Sequence, residues 1–146
     1  MTLRDEKGAA VVEFAVVLPL LLMFVFGIIE FGLLMYNKAM ITNASREAAR
    51  SGIVFSTDAS GSLQRLTADE IKNVVDYYCQ NHLITFSHTP QPAQTATNPP
   101  SPETLASGSY LTVTVTYHYD YLMMPAFITD LVGGIDLVAD TTMRTE

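Results

Sequence analysis

The chain has 146 residues, 49% hydrophobic and 16% charged, with a net charge of −7 at neutral pH. That composition is too apolar for a disordered chain and fits one small folded domain plus a membrane anchor. Residues 1–50 sum to zero charge and residues 51–146 hold the whole −7, so the distal part repels phosphate backbones and nucleic acid is not an expected partner.

A short charged stretch, Arg4-Asp5-Glu6-Lys7, precedes Gly8, and Ala9 to Gly32 is then almost wholly apolar apart from Glu13 and Glu30. About twenty helical residues at ~1.5 Å each cross the hydrocarbon core of a bilayer, so this segment is long enough to span. A cleaved secretory signal predicts a shorter apolar run and a small-x-small site, whereas this run passes into Glu30-Phe31-Gly32 without one. A plain single-pass anchor fits the length but leaves the two glutamates unexplained, since an unpaired carboxylate inside a membrane costs about 2.5 kcal/mol or more. Near the ends of the span both glutamates can still reach the headgroups. The flanking basic residues favour a cytoplasmic N-terminus by a narrow margin.

Spacing offers a third reading. Cutting after Gly8 makes Ala9 the first residue and Glu13 the fifth. This arrangement resembles the processing site of type IV pilin-like proteins. The resemblance implies that residues 1–8 are a cytoplasmic leader removed by a prepilin peptidase, and that Glu13 neutralises the new α-ammonium of a neighbouring subunit in a parallel helix bundle. Farther along, Pro19 lacks a backbone donor and crowds the carbonyl of Ala15, which reads either as a kink or loosened turn or as a proline simply tolerated in a membrane helix.

Beyond the span, Tyr36, Met40, Ala44 and Ala48 recur at i+4 among polar neighbours, so the helix is expected to continue to about Ser51 with a narrow small-residue stripe. That stripe suits either the chain's own domain or another subunit. Ser56 to Ser62 reads as a connector, without the alternating acids of a calcium loop. Thr67 and Glu70 form a capping box ahead of Ile71, Val74, Val75, Tyr78 and Cys79, predicting a second helix over about 68–84. Cys79 is the only cysteine. It reads as a buried free thiol, with an intermolecular bridge as the sharper alternative.

Residues 87–108 carry five of the seven prolines, which predicts an exposed, partly extended loop with no helix or central strand. Tyr110 to Tyr119 alternates strictly, with Leu111, Val113, Val115, Tyr117 and Tyr119 on one face. Ile135 to Met143 alternates more weakly and is expected to pair with it antiparallel. Between the two, Leu122 to Val132 is too short to span and apolar enough to need cover, from the domain, a membrane surface or a partner.

The sequence contains no hydrolase, metalloprotease or phosphate-loop motif, and His82, His88 and His118 are scattered. His118 and Asp120 share a strand face but lack further ligands, so a solvated face is expected there instead of a metal site. No catalytic, cofactor-binding or metal-binding residue is assigned, and no small-molecule substrate is predicted.

Three segments carry a more specific likeness: Phe26-Gly27-Ile28-Ile29-Glu30-Phe31-Gly32; Asn43-Ala44-Ser45-Arg46-Glu47-Ala48-Ala49-Arg50; and Ala139 to Glu146, with Met143 and Arg144. Together they resemble TadE-like proteins, minor pilin-like components of tight-adherence (Tad/Flp) pilus systems. The resemblance implies a bacterial inner-membrane protein, made as a prepilin and acting in pilus assembly or priming. Its implied partners are membrane lipid, other pilin-like subunits and a prepilin peptidase. The expected architecture is α+β. Residues 1–8 form the leader, 9–51 a spanning and amphipathic helix, and 52–146 an acidic extracytoplasmic domain. The rival expectation is an uncleaved single-pass anchor that presents this acidic domain to an envelope partner.

Overall fold

The computed structural model describes residues 3–57, 61–85, 92–122 and 133–146. Its first element, α1 (Leu3–Ile53), is one helix of 51 residues, about 77 Å long at ~1.5 Å per residue. Pro19 lies inside α1, and the helix continues on both sides of it. A proline removes a single intrahelical bond, and the turns on either side retain theirs.

The buried face of α1 is Glu30, Asn37, Ile41, Ala44, Ser45, Ala48, Ala49 and Gly52. Ala44 and Ala48 lie on it as expected, but Tyr36 is exposed and Met40 only half-buried. A strict four-residue step drifts from the 3.6-residue helical repeat, so the real face alternates steps of three and four and passes through Asn37 and Ile41 instead. At Gly52 a Cβ would lie 2.7 Å from Leu111 Cδ2 and 2.8 Å from Ile71 Cδ1, so the absence of a side chain lets α1 meet the rest of the core.

A short antiparallel hairpin, β1 (Ser56–Thr57) with β2 (Leu63–Gln64), follows. Next comes α2 (Ala68–His82), opened by the expected capping box: Glu70 N donates to Thr67 Oγ1 at 3.3 Å and Thr67 N to Glu70 Oε2 at 2.8 Å. Its buried face is Ile71, Val75 and Cys79. The helix ends two residues short of the expected limit because Leu83 is extended and the carboxamide of Asn37 takes both backbone groups of Ile84.

The proline-rich stretch holds more structure than expected. β3 (Gln94–Asn98) pairs antiparallel with β4 (Tyr110–Tyr119), and a 3₁₀ turn spans Pro102–Thr104. No proline falls inside Gln94–Asn98, and the strand lies at the sheet edge, where a proline-flanked segment is tolerated. β4 then pairs with β5 (Ile135–Arg144) along its whole length, from Tyr110↔Arg144 to Tyr119↔Ile135. The sheet order is β3-β4-β5. The inward face of β4 is the predicted one, Leu111, Val113, Val115, Tyr117 and Tyr119, all buried.

The fold is therefore α+β in two layers: the upper half of α1 and α2 cover one face of a three-stranded sheet, and together they form a head. Residues 123–132, most of the apolar segment singled out in the sequence, lie outside the described residues.

Arg65, buried to 3% exposure, fastens the end of the head farthest from the N-terminus. It donates to Ile53 O at 3.3 Å, to Leu105 O, and to Glu146 O at 3.0 Å, while its guanidinium lies 4.2 Å from the centre of the Phe55 ring. It thus gathers the last turn of α1, the 3₁₀ turn and the chain's last residue, and stacks as a cation on an aromatic face.

Candidate functional site

The lower half of α1 is bare. Apart from half-buried Leu18, every residue from Gly8 to Ile29 is exposed, and the helix is long and apolar enough to cross a membrane with none of its apolar window buried in the fold. That stretch measures about 33 Å at ~1.5 Å per residue, close to the ~30 Å hydrocarbon core of a bilayer. Glu13 sits on this bare part and is exposed. Gly8 and Ala9 are exposed as well, inside the unbroken helix.

The first residue above the bare stretch is Glu30, and its setting is the reverse of that of Glu13. It is 3% exposed. The Tyr119 hydroxyl donates to Oε1 at 2.8 Å, and Leu122 N donates to Oε1 at 3.0 Å and Oε2 at 3.1 Å. Burial, and then the bond to Glu30, push the Tyr119 hydroxyl well above the ordinary tyrosine range, so it stays a neutral donor facing the carboxylate. Tyr121 packs edge-on against Tyr119 at 6.1 Å. Among the described residues, the lowest tie between helix and head is thus a carboxylate held by the end of β4 and the backbone just beyond it.

Seven residues farther along the same face, Asn37 is wholly buried. Its Nδ2 donates to Ile84 O at 2.8 Å and its Oδ1 accepts from Ile84 N at 3.0 Å. Lys38 donates to Val138 O on β5, and Ser45 Oγ meets Thr141 Oγ1 at 2.7 Å. Polar clasps therefore punctuate a helix face otherwise made of small and apolar residues.

The remaining residues singled out in the sequence fall on two sides of α1. Phe26, Gly27, Phe31 and Gly32 are exposed, and a Cβ at either glycine would meet nothing within 4 Å. In the second motif, Ala44, Ser45, Ala48 and Ala49 face the head, whereas Asn43, Arg46 and Arg50 face away. Arg50 forms an ion pair of 2.6 Å with Glu47 and holds that carboxyl below the usual carboxylate range. Met143 is half-buried against the core, and Arg144 donates to Gly108 O at 3.1 Å.

Two chemical alternatives lose ground. Asp136 meets Nδ1 of His118 at 2.6 Å and Asp120 lies 3.5 Å from Nε2; partners on opposite ring nitrogens cannot converge on one ion. Cys79 borders a cleft of about 390 Å³ between α2 and the start of β3, where burial, with Asp76 nearby, pushes the thiol up to about 11. An activated nucleophile is shifted the other way.

Sequence reading named Glu30 but not its partners, and it missed Asn37 and Arg65. A signal for Asn37 existed, because a polar residue seven positions after Glu30 shares its helix face. The hydroxyl of Tyr119, on the inward face of β4, likewise needed a partner.

The bare span thus ends at a sealed carboxylate. Residues 8–50 match the family of TadE-like proteins. The resemblance read from the sequence is borne out over this segment, which begins at Gly8 and contains Glu13, Glu30 and the clasp residues Asn37, Lys38 and Ser45. The TadE-like match stops before α2 and the sheet and does not extend to residues 139–146. Comparison with curated proteins and with solved structures finds no match.

Proposed function

We propose that this chain is a non-enzymatic, pilin-like subunit of a Tad/Flp-type pilus, acting in pilus assembly or priming. In this reading it is held in the bacterial inner membrane by the bare half of α1, with its N-terminus in the cytoplasm and the acidic head outside. A prepilin peptidase removes residues 1–8 after Gly8, leaving Ala9 at the new terminus.

One observation carries the reading. Within the TadE-like segment the head satisfies the carboxylate of Glu30 and leaves that of Glu13 bare on a span that matches bilayer thickness. A carboxylate in that position costs about 2.5 kcal/mol or more in hydrocarbon unless it finds a positive partner. A neighbouring subunit's α-ammonium supplies one, and an otherwise unfavourable charge then sets the stagger between parallel helices. Lipid surrounds the helix before assembly and other pilin-like helices surround it afterwards.

The rival reading is the uncleaved anchor that presents its head to an envelope partner. It is favoured by the helix running unbroken across the Gly8–Ala9 bond, but it gives Glu13 no task. Mass spectrometry of the protein from its native membrane separates the two. A species starting at Ala9 is expected, and intact protein containing Met1 with no such species would sink the processing step.

A further inference from the structure

We propose that Glu30 and Asn37 are positioning residues that fix the rotation and height of the head about α1, and so set the direction in which Glu13 leaves the helix relative to the head. The inference deepens the pilin-like reading and rests on it for the role of Glu13; the joint itself stands on the geometry alone.

Ile41, Ala44, Ala48 and Gly52 present a smooth face of small and apolar groups. Such a face packs closely but specifies rotation weakly, because apolar contact is not directional. Hydrogen bonds are directional. Glu30 receives one donor from a side chain of β4 and one from the backbone just beyond it. Asn37 reads both the N–H and the C=O of Ile84, so it accepts only one orientation of that segment.

A slip of one residue along α1 turns the helix by about 100°. It would strand a carboxylate and a carboxamide against apolar core, and would leave Tyr119 Oη, Leu122 N and Ile84 N without these partners. The two clasps stand about two turns apart on one face, one tied to the end of β4 and the other to the segment after α2. Together they resist both rotation and tilt.

The consequence reaches into the span. Glu13 lies seventeen residues before Glu30, about 26 Å down the axis and about 100° around it. Its carboxylate therefore leaves the flank of the helix, neither beneath the head nor opposite it. A neighbour whose terminus meets Glu13 then stands beside the head and not under it. A head free to turn about α1 would spread that meeting point over many directions.

The test uses the full chain reconstituted in lipid nanodiscs, in a Cys79→Ala background, with spin labels at Leu21→Cys in the span and Asp140→Cys on β5. Pulsed electron resonance is expected to give one narrow distance distribution for the parent and one about twofold broader for Glu30→Ala or Asn37→Ala, as positions set by specific supporting contacts loosen when those contacts go. Circular dichroism of the same samples reports whether the head is folded. If Glu30→Ala unfolds it, Tyr119→Phe, which removes only the hydroxyl donor of that clasp, is read in its place; if Asn37→Ala does, Asn37→Leu, which loses both bonds to Ile84 at similar volume, is read instead. Unchanged widths in folded variants overturn the proposal. Glu13→Gln separates this result from the pilin-like reading: normal pilus output from that variant removes the task of Glu13 without altering the distance widths.

Discussion

The two halves of α1 belong to one unbroken helix and differ in what surrounds them. Below Glu30 the helix is bare for the thickness of a bilayer; above it, one face is sealed by a sheet and a second helix. Hydrophobicity does not mark the sealed part, because Phe24 and Ile29 are exposed while Ala44 and Ser45 are buried. What separates them is residue size and the placement of polar groups. Small residues allow a sheet to approach; Glu30 and Ser45 find partners on it, and Asn37 finds its partner in the segment after α2. Bulky residues below leave only lipid or another helix as cover.

The sharpest way to break the clasped half is at its tightest contact. Gly52→Val places branched carbon where even a Cβ is 2.7 Å from Leu111, and overpacking of this kind is expected to cost about 3 kcal/mol. Urea unfolding of the head, followed by circular dichroism in detergent micelles, measures it. The matching change in the bare half, Val16→Ala, is expected to leave that midpoint where it was. Next in size is Glu30→Ala, which orphans the Tyr119 hydroxyl and Leu122 N and is expected to cost about 2 kcal/mol in the same assay. A loss as small as that from Val16→Ala would show that the two halves are not different in kind at their junction.

The difference between the halves was only partly legible in the chain. The apolar run, the capping box at Thr67 and the alternation of Tyr110 to Tyr119 announce α1, α2 and β4 through local periodicity, and local periodicity survives into the fold. Strand β3 did not announce itself, because Gln94, Thr95, Thr97 and Asn98 lack the apolar alternation of a half-buried strand and owe their pairing to β4. Glu30 looked like a liability of the span because its donor lies 89 residues away, beyond any spacing rule. Arg65 runs against the expectation that arginine stays at the surface, and only the convergence of Ile53, Leu105 and Glu146 explains it.

The junction also has a pH signature of about 1 kcal/mol. Tyr119 titrates above the ordinary tyrosine value of 10.0 in the folded head. A group whose folded value is raised contributes stability that is complete below its unfolded value and fades as pH climbs toward the folded one. The head is therefore expected to lose about 1 kcal/mol between pH 10 and 11 through this residue. Tyr119→Phe is expected to flatten that part of the stability profile, measured by urea midpoints at successive pH values. An equally steep alkaline loss in the variant would place its origin elsewhere.

The smallest effect on folding falls on the other carboxylate, and it sharpens the comparison most. Glu13 is exposed on bare helix, so Glu13→Gln is expected to move the unfolding midpoint by less than about 0.5 kcal/mol, as for surface changes in general. Membrane insertion is expected to persist too, since a neutral amide enters a bilayer more readily than a carboxylate. Pilus output is where the variant is expected to fail, because an amide cannot neutralise a neighbour's α-ammonium. The two glutamates of one helix would then divide cleanly: loss of Glu30 registers in the isolated chain, and loss of Glu13 registers only when subunits meet. An assay of piliation beside an unfolding curve for each variant reads both, and a Glu13→Gln strain with normal pili would leave that carboxylate an interfacial residue of the anchor.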